Sequence, residues 1–265
     1  MPRTMSKYAS YLESLFGLTG QVAVVIGGTG VLGGALAEGL LQAGAAVMIA
    51  GREPDRGVRR AEEMSALGDV EFQLIDVTSR ESIEALLTTT LARFGRVDML
   101  INGAGVNAAS TYFEATDDDW QRVLETNLMA VHYGCQIFGK HMAEHGGGSI
   151  LNIGSATAHT PLSRVFAYSA SKAAVINLTK NVARELAPFN VRVNALCPGF
   201  FPAEQNRVIL DVQRVDNIMR NTPMARFGEP DELIGAMLLL LSKKAGSFIT
   251  GADYFVDGGY TAMRF

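Results

Sequence analysis

Residues 21–51 read QVAVVIGGTGVLGGALAEGLLQAGAAVMIAG and carry a single charge, Glu38. The stretch is apolar and long enough to suggest a membrane span. Eight glycines interrupt it, and its two ends are rich in β-branched and small residues rather than in helix formers. A strand over Val22–Ile26, a tight turn, a helix over about 31–44 and a second strand over Ala46–Ala50 fit better than one apolar helix.

The pattern continues outward. Further short apolar runs lie at Val70–Ile75, Val97–Ile101, Ser149–Ile153, Arg192–Leu196 and Tyr254–Val256. Helical periodicity fills the gaps at about 55–67, 79–94, 117–144, 168–187 and 229–241. Near-continuous apolar strands alternating with helices predict a parallel sheet buried on both faces. Thr116 before Asp117, Asp118 and Asp119 predicts a capped helix start. Only 199–226 lacks a period, and loops of that length inside a compact domain are usually functional. It is taken as a substrate lid within one domain, 1–265.

Composition bounds the function. Hydrophobic residues make up 48% and charged ones 19%, enough for a large core. A net charge of −4 gives no basic footprint for nucleic acid. The two cysteines, Cys135 and Cys197, lie far apart in apolar segments and read as free buried thiols. The N-terminus lacks the apolar stretch of a signal peptide, so a soluble cytoplasmic protein is expected. His141, Glu144 and His145 spell HxxEH and Asn177–Thr179 spells a glycosylation sequon. Both sit within helical patterns, and no metal is expected.

The turn after the first strand is Gly27-Gly28-Thr29-Gly30-Val31-Leu32-Gly33. It satisfies GxGxxG through Gly28, Gly30 and Gly33, and GxxGxxG through Gly27, Gly30 and Gly33. Glycine lets the backbone approach a pyrophosphate, and the helix N-terminus offers it unpaired N–H groups. With a strand before and a helix after, this is a dinucleotide site. The ribose-reading position at the end of the second strand holds Gly51-Arg52-Glu53. Arg52, with Arg56, Arg59 and Arg60 nearby, suits a 2′-phosphate. NADP(H) is therefore favoured, with NAD(H) the alternative through Glu53.

Asn152-Ile153-Gly154-Ser155 ends the fifth strand, and Tyr168-Ser-Ala-Ser-Lys172 follows thirteen residues later. Tyr and Lys at i, i+4 share a helix face. An ammonium beside a phenol should lower the phenol's pKa towards neutrality. Such a tyrosine exchanges a proton with a carbinol oxygen that the serine hydroxyl also holds, while a nicotinamide carries the redox chemistry.

These residues resemble the short-chain dehydrogenase/reductase family, classical type, over nearly the whole chain. The resemblance implies a doubly wound, seven-stranded Rossmann fold in an α/β single domain. It implies catalytic roles for Asn127, Ser155, Tyr168 and Lys172, with Asn127 holding a water in a proton relay with the lysine. Cofactor contacts are implied at Gly27, Thr29, Gly30, Val31, Leu32, Gly33, Arg52, Asp76, Val77, Asn102, Gly103, Ala104, Tyr168, Lys172, Pro198 and Gly199. A homotetramer is also implied. Val31 stands where the family's TGxxxGxG turn has a glycine, Ile26 where it has threonine, and Ala203 replaces a usual threonine.

A finer resemblance, carried by residues 27–34, 198–207 and 226–235, is to enzymes labelled D-mannonate oxidoreductase or fructuronate reductase. It implies a sugar-acid carbonyl or alcohol substrate, with Arg207 or Arg164 on the carboxylate and Glu204, Ser155 and Tyr168 on hydroxyls. The alternatives are a 3-oxoacyl-thioester reductase and a non-catalytic dinucleotide-binding module.

Overall fold

The computed structural model describes residues 7–201 and 212–262. Its sheet has seven parallel strands: β1 (Val22–Ile26), β2 (Ala46–Gly51), β3 (Val70–Leu74), β4 (Met99–Asn102), β5 (Gly148–Ile153), β6 (Val191–Pro198) and β7 (Asp253–Val256). The spatial order is β3-β2-β1-β4-β5-β6-β7. The chain leaves β1 in one direction for β2 and β3, then returns to the other side at β4. The crevice outside the carboxyl ends of β1 and β4 is therefore the binding edge.

Alternation along the strands sends side chains to two cores. Ala23, Val25, Val47 and Ile49 face Leu36 and Leu40 of α2 (Val31–Gln42) and Met237 and Leu240 of α9 (Ile234–Leu241). Val24, Ile26, Met48 and Leu100 face Ile83 and Leu86 of α4 (Arg80–Phe94), Phe138 and Met142 of α6 (Ala130–Glu144) and Val175 of α7 (Phe166–Leu186). The helix α3 (Pro54–Met64) covers β2 and β3; Gly57 lets Phe72 close against it, since a Cβ there would come within 2.2 Å of the ring.

At the amino edge of the sheet, buried Asp98 accepts from the Val22 N–H at 3.0 Å and from Arg96 at 2.7 and 2.8 Å. Lys243 reaches the same carboxylate at 3.0 Å. Burial opposes its ionisation, but these donors hold the carboxyl below its ordinary value.

The architecture agrees with the sequence expectation, with four local differences. A helix α1 (Lys7–Phe16) precedes β1. The helix expected over 117–144 is α5 (Asp117–Leu124), a π turn at Glu125–Met129 and then α6. Apolar periodicity does not register this, because one inserted residue leaves the buried stripe on either side intact. The non-periodic region 199–226 contains α8 (Val212–Asn221). The segment before α9 is a short turn, Pro230–Leu233, closed by a capping box between Glu229 and Glu232. As anticipated, Thr116 caps α5, its hydroxyl accepting from the Asp119 N–H at 3.2 Å.

Both cysteines are free and buried. The sequon at Asn177 has a structural explanation: the buried Thr179 hydroxyl accepts from Asn152 at 2.9 Å and donates to the Val175 carbonyl at 2.8 Å. The HxxEH histidines stack on each other at the end of α6, ring centroids 4.1 Å apart. Among the described residues, no helix is long and apolar enough to cross a membrane.

Candidate active site

A cleft of about 730 Å³ opens at the carboxyl edge, lined by Gly27, Thr29 and Gly30 at one end, Arg52 and Asp76 at the other, and Gly103–Val106 along its wall. Its cradle demands glycine. Gly27 has φ +84°, and a Cβ on Gly33 would lie 2.2 Å from the Gly27 carbonyl. A Cβ on Gly103 would lie 2.9 Å from the Ile26 carbonyl. The helix α2 starts at Val31 from Gly30, with no side-chain cap on its first N–H groups. Those groups are left for an anion. Val31 is thus an ordinary first helical residue; the close approaches fall on Gly27 and Gly33.

The ribose end is equally specific. A Cβ on Gly51 would lie 2.5 Å from Thr29 Oγ1, so no carboxylate side chain fits there without displacing Thr29. Arg52 is exposed, and neither it nor Glu53 has an ion-pair partner among the described residues. Arg56 lines the cleft with it. Arg60 does not: it is tied to Glu38 at 3.1 Å and Glu63 at 2.9 Å. Asp76 accepts from Thr78 through its hydroxyl at 2.7 Å and its N–H at 2.9 Å, which holds its carboxyl below the ordinary value. These residues fit a nicotinamide dinucleotide: a glycine cradle for phosphates, free guanidinium at the ribose and a fixed carboxylate at the adenine end.

Beside this cleft the four expected catalytic residues come together. Ser155 leaves β5 with an extended backbone, and its Oγ accepts from Thr157 N at 3.2 Å and Thr157 Oγ1 at 3.0 Å. Tyr168 stands on the first turns of α7. Lys172, one turn on, is buried, donates to the Ile153 carbonyl at 2.7 Å and sits 5.6 Å from the Tyr168 ring centre. Burial lowers its pKa to about 8.

Here the structure corrects one expectation. The Tyr168 phenol is raised above its ordinary value, not lowered. Desolvation dominates, and a hydrogen bond with Ser155 only partly offsets it. The i, i+4 spacing announced the neighbour but not the depth at which both groups sit.

Asn127 occupies the middle of the π turn and is fully buried. Its Oδ1 accepts from Val106 N at 2.8 Å, and its Nδ2 donates to the Val106 carbonyl at 2.9 Å and to Ser171 Oγ at 3.1 Å. Ser171 in turn donates to the Tyr168 carbonyl at 2.7 Å. Ser171 and Val106 were not anticipated. The Ser171 signal was available, since it stands at i+3 from Tyr168 within the same motif. The Asn127 side chain thus holds Val106 by both backbone groups and braces Ser171, with one lone pair of its oxygen left over. Gly105 lies between the two groups: a Cβ on it would be 3.5 Å from Asn127 Oδ1 and 3.7 Å from Lys172 Nζ.

Pro198 ends β6, and Gly199 packs so tightly on Asp257 that a Cβ would lie 2.6 Å from its Cα. Asn102, at the end of β4, is buried and its side chain donates to Asn152 at 2.8 Å within the sheet. Arg164 is exposed, on the loop two residues before α7 begins at Phe166, with φ +68°. His159 pairs with Asp253 at 2.9 Å at the edge of β7. Glu204 and Arg207 lie outside the described residues.

A family model described as enoyl-(acyl carrier protein) reductase matches residues 27–261. The chain belongs to the short-chain dehydrogenase/reductase family. It is an NAD(P)-dependent oxidoreductase acting on CH–OH groups. This sets aside the non-catalytic module. Among its relatives is an uncharacterized oxidoreductase, UxuB, of Bacillus subtilis (strain 168), 35% identical over 92% of this chain and 96% of the relative. The 2-dehydro-3-deoxy-D-gluconate 5-dehydrogenase of Escherichia coli (strain K12) is 36% identical over 94% of this chain and 98% of its own. A gluconate 5-dehydrogenase from Burkholderia cenocepacia J2315, solved with NADP and tartrate, superposes with a TM-score of 0.91 at 32% identity, covering 96% of this chain and 100% of that one.

Proposed function

We propose that this short-chain dehydrogenase/reductase interconverts a ketone and a secondary alcohol on a sugar acid, fructuronate/mannonate or another keto-aldonate, using NADP(H). The observation that carries the reaction is the convergence of Ser155, Tyr168, Lys172 and Asn127 beside the glycine-cradled cleft. The named relatives above support the sugar-acid class.

A nicotinamide bound in the cleft supplies the hydride acceptor or donor. The protein's part is positioning and proton transfer. Ser155 holds the substrate oxygen. The Tyr168 phenol, kept protonated by burial, delivers a proton to that oxygen during reduction and must be deprotonated to accept one during oxidation. Lys172 sets the field on the phenol. Asn127 holds Val106 against Ser171 and keeps a water for a proton relay with Lys172 past Gly105. Gly27, Thr29, Gly30, Val31, Leu32 and Gly33 hold the phosphates, Asp76 and Val77 the adenine end, and Gly103, Ala104, Pro198 and Gly199 the nicotinamide half. Arg52 faces the 2′-phosphate, which Gly51 leaves room for. Arg164 and Arg207 are the proposed carboxylate partners, Glu204 a hydroxyl partner, and 199–226 the lid. The apolar groove between α6 and α7 near Phe189 supports assembly as a homotetramer, and the two free thiols support a cytoplasmic setting.

Absorbance at 340 nm with keto-aldonates, 3-ketoacyl thioesters and simple ketones tests this. Keto-aldonates should be turned over best, alcohol oxidation should accelerate as pH rises above neutral, and Tyr168→Phe should abolish turnover while retaining cofactor binding. Activity on thioesters but not on sugar acids would replace the substrate assignment with the acyl one. Arg52→Gln should lower kcat/KM for NADPH about 10- to 100-fold while leaving NADH nearly unchanged, since a charge-assisted hydrogen bond contributes roughly 1.5–3 kcal/mol. Equal losses with both cofactors would refute the phosphate role.

A further inference from the structure

Ser155 follows β5 and starts a short turn, Ala156–Ala158. Its Oγ accepts from the Thr157 N–H at 3.2 Å, an ordinary cap on that turn. A second bond goes beyond the cap: the Thr157 hydroxyl donates to the same oxygen at 3.0 Å. Both residues are buried.

A hydroxyl has two lone pairs with which to accept and one proton to give. Thr157 fills both lone pairs of Ser155. What remains is the Ser155 O–H, and the group it faces is Tyr168. Burial keeps the Tyr168 phenol protonated, and a hydrogen bond with Ser155 opposes that. A bond that favours the phenolate is one in which the serine donates. The neighbouring donors are turned elsewhere: Lys172 gives a proton to the Ile153 carbonyl, and Ser171 gives its own to the Tyr168 carbonyl. Without substrate, Ser155 therefore gives its proton to the phenol. With substrate bound, it gives it to the ketone or carbinol oxygen that both side chains hold.

We propose that Thr157 is a positioning residue that makes Ser155 a pure donor, filling both of its lone pairs and so turning the serine proton towards the substrate oxygen. This role rests on the part Ser155 plays in the reaction proposed above, whichever ketone is reduced. During reduction, negative charge grows on that oxygen, and a donor already aimed at it stabilises the charge without reorienting. The Thr157 hydroxyl strengthens this donor, because a hydroxyl that accepts a hydrogen bond gives a stronger one. During oxidation, the serine has no lone pair for the alcohol proton. That proton is left facing Tyr168, the group that must remove it. One threonine thereby sorts the protons for both directions.

Thr157→Val keeps the shape and the N–H and removes the hydroxyl. Thr157→Ser keeps the hydroxyl and removes a buried methyl. Both are assayed with NADPH on the ketone that the wild type reduces fastest, beside Ser155→Ala and the double variant Ser155→Ala with Thr157→Val. Thr157→Val should lower kcat about 10-fold while KM stays within about threefold. NADPH affinity, read by fluorescence, should be unchanged. The isotope effect on kcat with deuterated NADPH should hold or rise, since the chemical step is the one slowed. Thr157→Ser should stay within about twofold of wild type in kcat, although its melting temperature falls with the lost methyl. In the Ser155→Ala background, Thr157→Val should lower the residual rate no further, because it acts through the serine. A threonine that only packs makes Thr157→Ser as slow as Thr157→Val or slower, and that order overturns the inference. So does a loss from Thr157→Val that persists at full size without Ser155. Unchanged kcat in Thr157→Val, with Ser155→Ala inactive, overturns it and leaves the reading of Ser155 standing. Full activity in Ser155→Ala removes that reading and the inference with it.

Discussion

Lys172 carries an ammonium with 3% of its surface exposed and a main-chain carbonyl as its hydrogen-bond acceptor. Its pKa falls from 10.5 to about 8. Below pH 8 the side chain is charged both folded and unfolded, and the fold bears the whole cost of burying the charge. Between pH 8 and 10.5 the folded form releases its proton first, so stability rises with pH and the cost disappears. At about 1.4 kcal/mol per unit the cost is on the order of 3 kcal/mol. Lys172→Met should therefore stabilise the cofactor-free protein by that order at pH 7, with the gain fading towards pH 10.5, and should remove activity. Urea unfolding at both pH values checks it; a destabilised variant would show that the lysine holds the fold rather than the chemistry. The residues of this site were readable from spacing alone: a strand-end serine, then Tyr and Lys one turn apart. Their electrostatics were not, because burial is set by what β6 and α7 bring over them.

At the scale of elements, sequence periodicity located the strands and most helices to within a few residues. It failed where the period is broken without losing its apolar stripe. The π turn at Glu125–Met129 is such a break, closed by a bond from the Ala130 N–H to the Glu125 carbonyl. It also left out α1 and α8, although Tyr8, Tyr11, Leu12, Leu15 and Phe16 repeat at helical spacing in α1. Deleting one residue from 125–129 should convert the π turn to α-helix, keep α5 and α6 in their places and take Asn127 out of its present position on the turn. Asn127 would then lose Val106 and Ser171. Helix content by circular dichroism should persist while kcat/KM falls by about 10²-fold or more. Retained activity would show that the extra residue has no bearing on the site.

For the whole molecule, the strand order places the glycine turn of β1, the Gly103–Val106 wall after β4, Ser155 after β5 and the Pro198–Gly199 turn after β6 on one edge. Fold and edge were both legible, because βαβ connections have one hand and parallel strands all point the same way. The substrate side was less so: polar residues in a loop name chemistry without naming position. At the opposite edge, Asp98 ties β1 to Arg96 and Lys243. Its depressed carboxyl contributes stability at neutral pH that is lost as pH falls below 3.8. Asp98→Ala should cost about 2 kcal/mol, mainly by leaving the buried Val22 N–H without an acceptor, and should weaken the acid sensitivity of unfolding. Its kcat/KM should match wild type; a parallel loss of turnover would contradict this. The sheet therefore has a chassis end and a working end, a strand's length apart. Selection for heat tolerance can act on the first while selection for new substrates acts on the second, and changes at the two ends should combine additively.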